Sequence, residues 1–413
     1  MLRKSDGIYN MTPTDFLKSA QALEGELIEN RRWLHAHAET EFDLTETTAF
    51  VKERLEEICC EYTDCGKCGI SAVIGKPEGK TFLLRADMDA LPINEESGLD
   101  FSCQQGKMHA CGHDMHTAML LGAAKILKQC ENELAGKVKL MFQPAEETLS
   151  GAKNMIENGI LKNPSVDGAM MLHVMAGFPL KAGTVIIPEA GVGAPAADYF
   201  TINVQGKGCH GSTPHLGIDP ITAAAHILIA LQEFSAREMG VTDEGIITIG
   251  SFQGGSAGNV IADTAVLQGT LRAFDDNLRQ NMKKRIAEIA ESVGNAFRTK
   301  ACVSFGSGCP TLENNGDLVE FTEKTARDLL GDGLVVNASS FGSENTHKGG
   351  SEDFSYITKE VPSVMVALAS GEPEKGYKYH QHHPKVSFDE SVLKIGSALM
   401  AFNAFEWLKE NKN

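Results

Sequence analysis

The stretch "MHACGHDMHTAML", residues 108–120, places three histidines, a cysteine and an aspartate between His109 and His116. Imidazole and thiolate together suit zinc, cobalt, manganese or nickel. A thiolate beside a histidine could instead be a nucleophile, and a crowded polar loop could carry no chemistry at all. Cys111 and His113 lie two apart in a glycine-containing loop, which can turn both side chains towards one ion. Other residues of the same chemical kind recur downstream: Glu146 and Glu147 in "FQPAEE", His173 in "GAMMLHV", and His380, His382 and His383 in "YHQHHPKVSFDE". Five ligands exceed one tetrahedral site, so two ions are expected. Adjacent glutamates leave the backbone in different directions. One can bind metal while the other takes a proton from a water whose pKa an ion has lowered to about 7. A lone "EE" is more often a solvated acidic turn, so the pair needs its context.

That context is an alternation of strands and helices. "ISAVIG" (70–75), "TFLLRA" (81–86), "KVKLMFQ" (137–143) and "GAMMLHV" (168–174) read as strands. Helices are expected over about Thr45 to Ile58, Thr117 to Gln129 and 150–159. A first helix begins at Thr12 and Pro13, a cap and a first-turn proline, and carries Phe16, Ala20, Leu23, Leu27 and Leu34 at helical spacing. Such alternation predicts an α/β domain with a mostly parallel sheet, whose ligands lie beyond the carboxyl ends of the strands. Three strand ends obey that rule: "TFLLRA" runs into Asp87 and Asp89, "KVKLMFQ" into Glu146 and Glu147, and "GAMMLHV" into His173. Near residue 192 the pattern changes. "DYFTINVQG" (198–206), a helix from Pro220 to Phe234, strands at 245–255 and 264–274, and a helix from Asn277 to Arg298 predict a small α+β domain. It is expected at 192–308, inserted in a catalytic domain of 1–191 and 309–413.

The 413 residues suit two domains. A net charge of −17 argues against nucleic acid as a partner, since phosphate binding needs clustered Lys and Arg. No run of 18 apolar residues occurs, so no membrane span is expected. The polar N-terminus "MLRKSDGIYNMTPTDFL" does not read as a secretion signal, and a cytoplasmic location follows by default. The ten cysteines are irregularly spaced and are expected to be free. "CGKC", Cys65 and Cys68, has knuckle spacing but no well-placed second pair, and reads as a structural turn.

Longer stretches carry a resemblance. "RRWLHAHAETEF" (31–42), "LLRADMDALPI" (83–93), "MHACGHDMHTAMLLGAA" (108–124), "FQPAEE" (142–147), "GKGCHGSTPHLGIDP" (206–220), "GNVIADTAVLQGTLR" (258–272), "GGSEDFSY" (349–356) and "HHPKVSFDE" (382–390) occur in order along nearly the whole chain. The sequence resembles the M20 metallopeptidase family, in the amidohydrolase branch that includes hippurate hydrolases, indole-acetyl amino acid hydrolases and N-acetyl amino acid deacetylases. The resemblance implies two divalent ions, Mn, Zn, Co or Ni, held by Cys111, His113, Glu147, His173 and His382. His382 is chosen over His383 because the family residue lies two before the proline. Glu146 matches the general base and acid, and Asp89 an aspartate that orients the metal site. The inserted domain becomes a lid and dimerisation domain. Its His210 matches a residue that reaches the active site of a partner subunit and polarises the scissile carbonyl. Asn259 and Arg272 sit in lid motifs that hold substrate, and an arginine suits a substrate carboxylate. The expected partners are a small N-acyl amino acid and a second copy of the chain.

Departures from the family pattern are Ala38, where a proline is usual, and Cys209 beside His210. His347 receives no role. His35, His37 and His226 read as packing or surface residues, and His109 and His116 as candidates to hydrogen-bond the ligands. His215 follows the lid motif and could cap or line the cleft. Three alternatives stay open: a dipeptidase on the same scaffold, a non-catalytic metal-binding protein, and a metal-free enzyme with Cys111 as nucleophile. A pure binder has no need of Glu146.

Overall fold

The structure, a computed structural model, describes residues 11–341 and 350–412. His347 lies outside them. Backbone contacts divide the chain into two compact units, one of Met1–Gly193, Glu313–His347 and Tyr356–Asn413, the other of Ala194–Leu312 and Lys348–Ser355.

The first unit is built on an eight-stranded sheet. Its order is Tyr62–Asp64, Ile70–Gly75, Lys137–Gln143, Thr81–Asp87, Gly168–Met175, Ser363–Ala369, Val185–Ile187, Val335–Asn337. The central strands, Lys137–Gln143, Thr81–Asp87, Gly168–Met175 and Ser363–Ala369, run parallel, and antiparallel strands flank them. The strand Thr81–Asp87 is buried along its whole length, as a central parallel strand must be. Its alternate residues divide the work. Phe82, Leu84 and Ala86 join the large apolar core. On the other face Arg85 and Asp87, two residues apart, pair at 2.6 Å with no exposure of either.

Two elements differ from expectation. The first helix is two, Pro13–Ala22 and Glu24–Ala36, meeting at Leu23 (φ −93°, ψ −3°). Leu23 stays close enough to helical dihedrals for one apolar stripe to pass through, so periodicity could not reveal the break. Pro13–Ala22 is capped by Asp15, which accepts both the N–H and the hydroxyl of Thr12. The helix expected from Thr117 begins at His113 and runs to Gln129. Its first residues are polar and therefore failed the apolar pattern, yet they are buried along with most of the helix.

This helix packs against both Glu24–Ala36 and Leu393–Glu410. Gly122 makes the contact close: a Cβ there would lie 2.5 Å from both Leu27 Cδ2 and Ser397 Oγ. No helix among the described residues is long and apolar enough to cross a membrane.

The second unit has an antiparallel sheet in the order Gly245–Gly254, Thr264–Ala273, Ala196–Gln205, Lys300–Cys309. The last strand, missing from the sequence reading, pairs along Ala196–Gln205. Helices Pro220–Glu233 and Asp276–Ala296 supply Ala223, Ile227, Leu231, Met282 and Ile286 to a core shared with Phe200, Ile202 and Val204. Asp219 and Asp275 cap these helices by accepting first-turn N–H groups.

Gly122→Val adds three carbons where even one would crowd its neighbours. We expect a loss of about 1–3 kcal/mol, read as a lower urea midpoint with an unchanged m-value.

Candidate metal centre

The strand ends bring the chemistry-bearing residues of the first unit together. Gly112 takes φ +89°, and a Cβ on it would meet Val174 Cγ2 at 2.5 Å. Only glycine fits both demands, and its turn places Cys111 before the helix and His113 on the first helical residue. The glutamate pair sits on a tight turn after Lys137–Gln143. Ala145 takes φ +53°, and Gly151 approaches so closely that a Cβ would lie 1.6 Å from the Pro144 carbonyl oxygen.

Asp89 organises this corner. It is fully buried. Its Oδ1 accepts the main-chain N–H of Glu146 at 2.9 Å, and its Oδ2 that of Glu147 at 3.2 Å. Its own carbonyl accepts Nδ1–H of His113 at 2.7 Å. His113 therefore points Nε2 at the cluster. That atom is buried with no hydrogen-bond partner among the described residues, and lies 3.6 Å from Asp87 Oδ2, 3.9 Å from Glu146 Oε2 and 4.0 Å from Glu147 Oε1. His173 gives its Nδ1–H to the Val174 carbonyl at 2.7 Å, leaving Nε2 3.5 Å from Cys111 Sγ. His382 Nε2 lies 3.5 Å from Glu147 Oε2.

Two ligand groups result, Cys111–His113–His173 and Cys111–Glu147–His382. Within each, the ligand atoms lie within 4.8 Å of one another. Donors around one tetrahedral ion, bonded at about 2.0–2.3 Å, sit about 3.3–3.8 Å apart. The 3.5 Å pairs match that spacing, and a buried imidazole nitrogen with no hydrogen-bond partner among the described residues fits an ion ligand. The residues fit two divalent ions with Cys111 common to both groups. Asp87, His113 and His116 are also close together, but Asp87 and both ring nitrogens of His116 are already engaged. Arg85 donates to Asp87. His116 accepts Val174 N–H on Nε2 at 2.9 Å, so its Nδ1 carries the proton that goes to Asp87 at 2.6 Å.

Charge under the centre is balanced by buried pairs. Arg31 binds Asp114 at 2.7 Å and Glu390 at 3.2 Å. His35 bridges Asp114 and Glu95 at 2.8 and 3.0 Å. Burial pulls the His35 ring towards neutrality, but the two carboxylates outweigh it and its pKa is raised. His35 is thus a packing residue deep in the interior rather than at the surface. His37 stacks on Trp33, and His226 stacks on Phe297. His109 is fully buried, has no partner on either ring nitrogen among the described residues, and is pushed by burial down to about 3, so it stays neutral.

Elsewhere, His380 gives Nδ1 to the Ala176 carbonyl at 3.2 Å, and His383 stacks on Tyr379. The Cys65 thiol donates to carbonyls of Met155 and Asn158, and that of Cys68 to Phe42. Ala38 is buried beside Ala90 and Cys103. Arg85 and Gln381 belong to the centre's surroundings but were not singled out from the sequence, whereas Asp87 was noted at its strand end without a role. Two charged residues two apart on a strand otherwise all apolar was the available signal for Arg85 and Asp87.

In the second unit His210 is exposed and pairs in register with Val260. Its Nδ1 accepts the N–H of Ser212 at 3.1 Å. A nitrogen that accepts a backbone N–H carries no proton, so the neutral ring bears hydrogen on Nε2. Asn259, next to Val260, is exposed, and its carbonyl accepts Gly211 N–H. Arg272 donates to Ser351 Oγ at 2.7 Å. Cys209 is half-buried with its thiol on the Thr213 carbonyl, and His215 is exposed.

Comparisons with known proteins show the family of the chain. The model of peptidase family M20/M25/M40 matches residues 83–403. An N-acetyl-L-cysteine deacetylase of Bacillus subtilis is 36% identical over 393 residues, 94% of this chain and 90% of the relative. An IAA-amino acid hydrolase, ILR1-like 2, of Arabidopsis thaliana is 37% identical over 405 residues, 96% of this chain and 88% of the relative. The crystal structure of the Bacillus subtilis YXEP protein, described as a dinuclear metal binding peptidase of the M20 family, superposes with a TM-score of 0.75 at 32% identity, over 94% of this chain and 99% of that one. This chain belongs to the M20 family, in its amidohydrolase branch. It is a metal-dependent hydrolase acting on amides.

Burial, helped by the charge of Glu147, pushes the Cys111 thiol up to about 12. Burial alone would lower His113, but Asp87 and the bond to Asp89 prevail and raise it well above its usual value. Both groups therefore carry a proton at neutral pH that ligation must remove. His173, pushed by burial to about 3, and His382, also lowered, are already neutral. Calorimetric Mn²⁺ titrations of metal-free protein in buffers of different ionisation enthalpy should show protons released on binding. Apparent affinity should tighten from pH 6 to 8. Uptake without proton release would contradict this assignment of the protons.

Proposed function

We propose that this protein hydrolyses the amide bond of N-acyl amino acids, with Glu146 as the proton shuttle. The carrying observation is the pair of adjacent glutamates whose main-chain N–H groups are both held by the buried Asp89 carboxylate. That tether aims two neighbouring carboxylates at different tasks. Cys111, His113, Glu147, His173 and His382 hold two divalent ions, of manganese, zinc, cobalt or nickel. When bound, such ions lower the pKa of a water and polarise a carbonyl. Glu146, almost wholly buried, takes a proton from the attacking water and returns it to the leaving nitrogen, so that an amine rather than an amide anion departs. Asp89 keeps Glu146, Glu147 and His113 in place while charge moves. Deacetylation of N-acetylcysteine and hydrolysis of IAA–amino acid conjugates, named for two relatives, are both of this reaction type. Ten free thiols suit a reducing compartment such as the cytoplasm.

His210 supplies a donor to the substrate carbonyl, since its outward Nε2 carries the hydrogen, and Arg272 and Asn259 hold the substrate carboxylate end. We further propose that 192–308 is the lid and dimerisation domain, and that His210 acts on the partner's centre. The strand Gly245–Gly254 lies at the sheet edge and contains no charged residue. Unprotected edges of that kind invite pairing with another chain. Ile246 and Phe252 on it, with Ile229 on the adjacent helix, are exposed apolar residues.

Glu146→Gln should bind Mn²⁺ like the wild type while kcat on N-acetyl, N-benzoyl and longer N-acyl amino acids falls about 10²–10⁴-fold, followed by amine release. Full activity in Glu146→Gln would remove the mechanism, and turnover of dipeptides alone would redirect the substrate class.

His210→Ala should also be nearly inactive. Mixed and re-equilibrated with Glu146→Gln, it should recover about a quarter of wild-type activity, because half the dimers are mixed and each has one intact site. No recovery would place His210 in its own protomer's site or outside catalysis.

A further inference from the structure

Of the three histidines in "YHQHHP", His382 is the one that reaches the ligand cluster, and it does so from a strained backbone. Its φ is +65°, in the left-handed region that disfavours a residue bearing a Cβ. Its side chain is 54% exposed, so packing does not hold it there. Hydrogen bonds from the same loop do. The His382 N–H donates to the Ala110 carbonyl at 2.9 Å. Gln381, half-buried beside it, donates Nε2–H to the Val174 carbonyl at 2.7 Å.

That carbonyl is not an arbitrary acceptor. It also takes Nδ1–H of His173 at 2.7 Å, and the N–H of the same residue donates to His116 at 2.9 Å. A single residue's main chain thus meets the helix that starts at His113, the strand that carries His173, and the loop that carries His382. We propose that Gln381 is a positioning residue of the metal centre. By sharing the Val174 carbonyl with His173, it ties the His382 loop to the His173 strand and sets the spacing between the two ligand groups that meet at Cys111.

The physics is that of a ligand's supporting hydrogen bond. A ring held through Nδ1 presents Nε2 in one direction only. A loop tied to the same acceptor cannot drift relative to that ring. Without the Gln381 donor, His382 is free to relax from its left-handed backbone and turn into solvent. The inference rests on the reading of these histidines as metal ligands, and the experiment separates the two.

Gln381→Met keeps the side chain's size and removes its donor. Gln381→Glu puts a like-charged oxygen against the carbonyl. His380→Phe breaks the neighbouring tie to the Ala176 carbonyl and serves as the loop control. Each full-length, metal-stripped protein is titrated with Co²⁺, following the thiolate charge-transfer and d–d bands, and with Mn²⁺ by calorimetry. The wild type should bind two ions. Gln381→Met and Gln381→Glu should keep one binding step and lose about 10–100-fold in the other, with shifted d–d bands, while His380→Phe matches the wild type.

A wild type that does not bind two ions overturns the ligand reading itself. A wild type that binds two, with Gln381→Met within about twofold in both steps and an unchanged cobalt spectrum, overturns the role of Gln381 whatever happens to kcat. An equal loss in His380→Phe assigns the effect to loop anchoring in general and overturns it too. Should Gln381→Met not fold, Gln381→Glu carries the same decision.

Discussion

The site depends on one buried carboxylate. Asp89 accepts the N–H groups of two successive residues, Glu146 and Glu147, and its carbonyl holds the ring of His113. A carboxylate accepting backbone hydrogen bonds in the interior makes strong, directional bonds because no water competes. Three sequence-distant segments are fixed by it: the turn after Thr81–Asp87, the turn after Lys137–Gln143, and the first turn of the helix His113–Gln129. All three lie at the carboxyl ends of parallel strands, where the fold leaves a crevice. The sheet supplies the coarse placement, and Asp89 supplies the orientation.

Concentrating so much charge in an interior would be unfavourable without compensation. The protein supplies it in two layers. On the sheet, Arg85 neutralises Asp87, which in turn fixes the tautomer of His116. Beneath the helix start, Arg31 and His35 enclose Asp114, with Glu95 and Glu390 completing the set. Arg31, His35 and Arg85 act one step removed, through Asp114 and Asp87. They allow a helix to begin with polar residues while fully buried, which is what brings His113 to the crevice. Backbone strain is spent at the same place. Ala145 and His382, both with side chains, adopt left-handed backbone next to or at site residues, as is common where surrounding structure over-determines a conformation.

Most of the α/β pattern was readable because strand and helix periodicities differ and because buried parallel strands are continuously apolar. The misses have specific causes. The break at Leu23 leaves the apolar stripe intact. The start of the helix at His113 is hidden because its first turn is polar. The strand Lys300–Cys309 was missed because it follows the long helix Asp276–Ala296 after only three residues, with no glycine or proline between to mark a turn. The residues that compensate charge were unreadable for a different reason. Arg85 or Arg31 in a sequence looks like any surface arginine, and its partner is defined only by sheet register or helix packing.

The sequence by itself determined which kinds of chemistry were possible. Thiol, imidazole and paired carboxylates at the ends of predicted strands point to a metal centre, with a non-catalytic binder and a Cys111 nucleophile left open. Residue type alone could not decide among neighbouring histidines; only the resemblance singled out His113 and His382. His109, His113 and His116, or His380, His382 and His383, are alike in type and spacing. The tertiary structure separates them through hydrogen bonds made by the other ring nitrogen: Asp89 frees Nε2 of His113, Asp87 and Val174 consume both nitrogens of His116, and Ala176 takes His380. A ligand is defined by where its lone pair points. That direction is set by backbone dihedrals and by partners that the fold brings in from elsewhere in the chain, from 24 residues away for Asp89 and His113 to 207 for Gln381 and Val174.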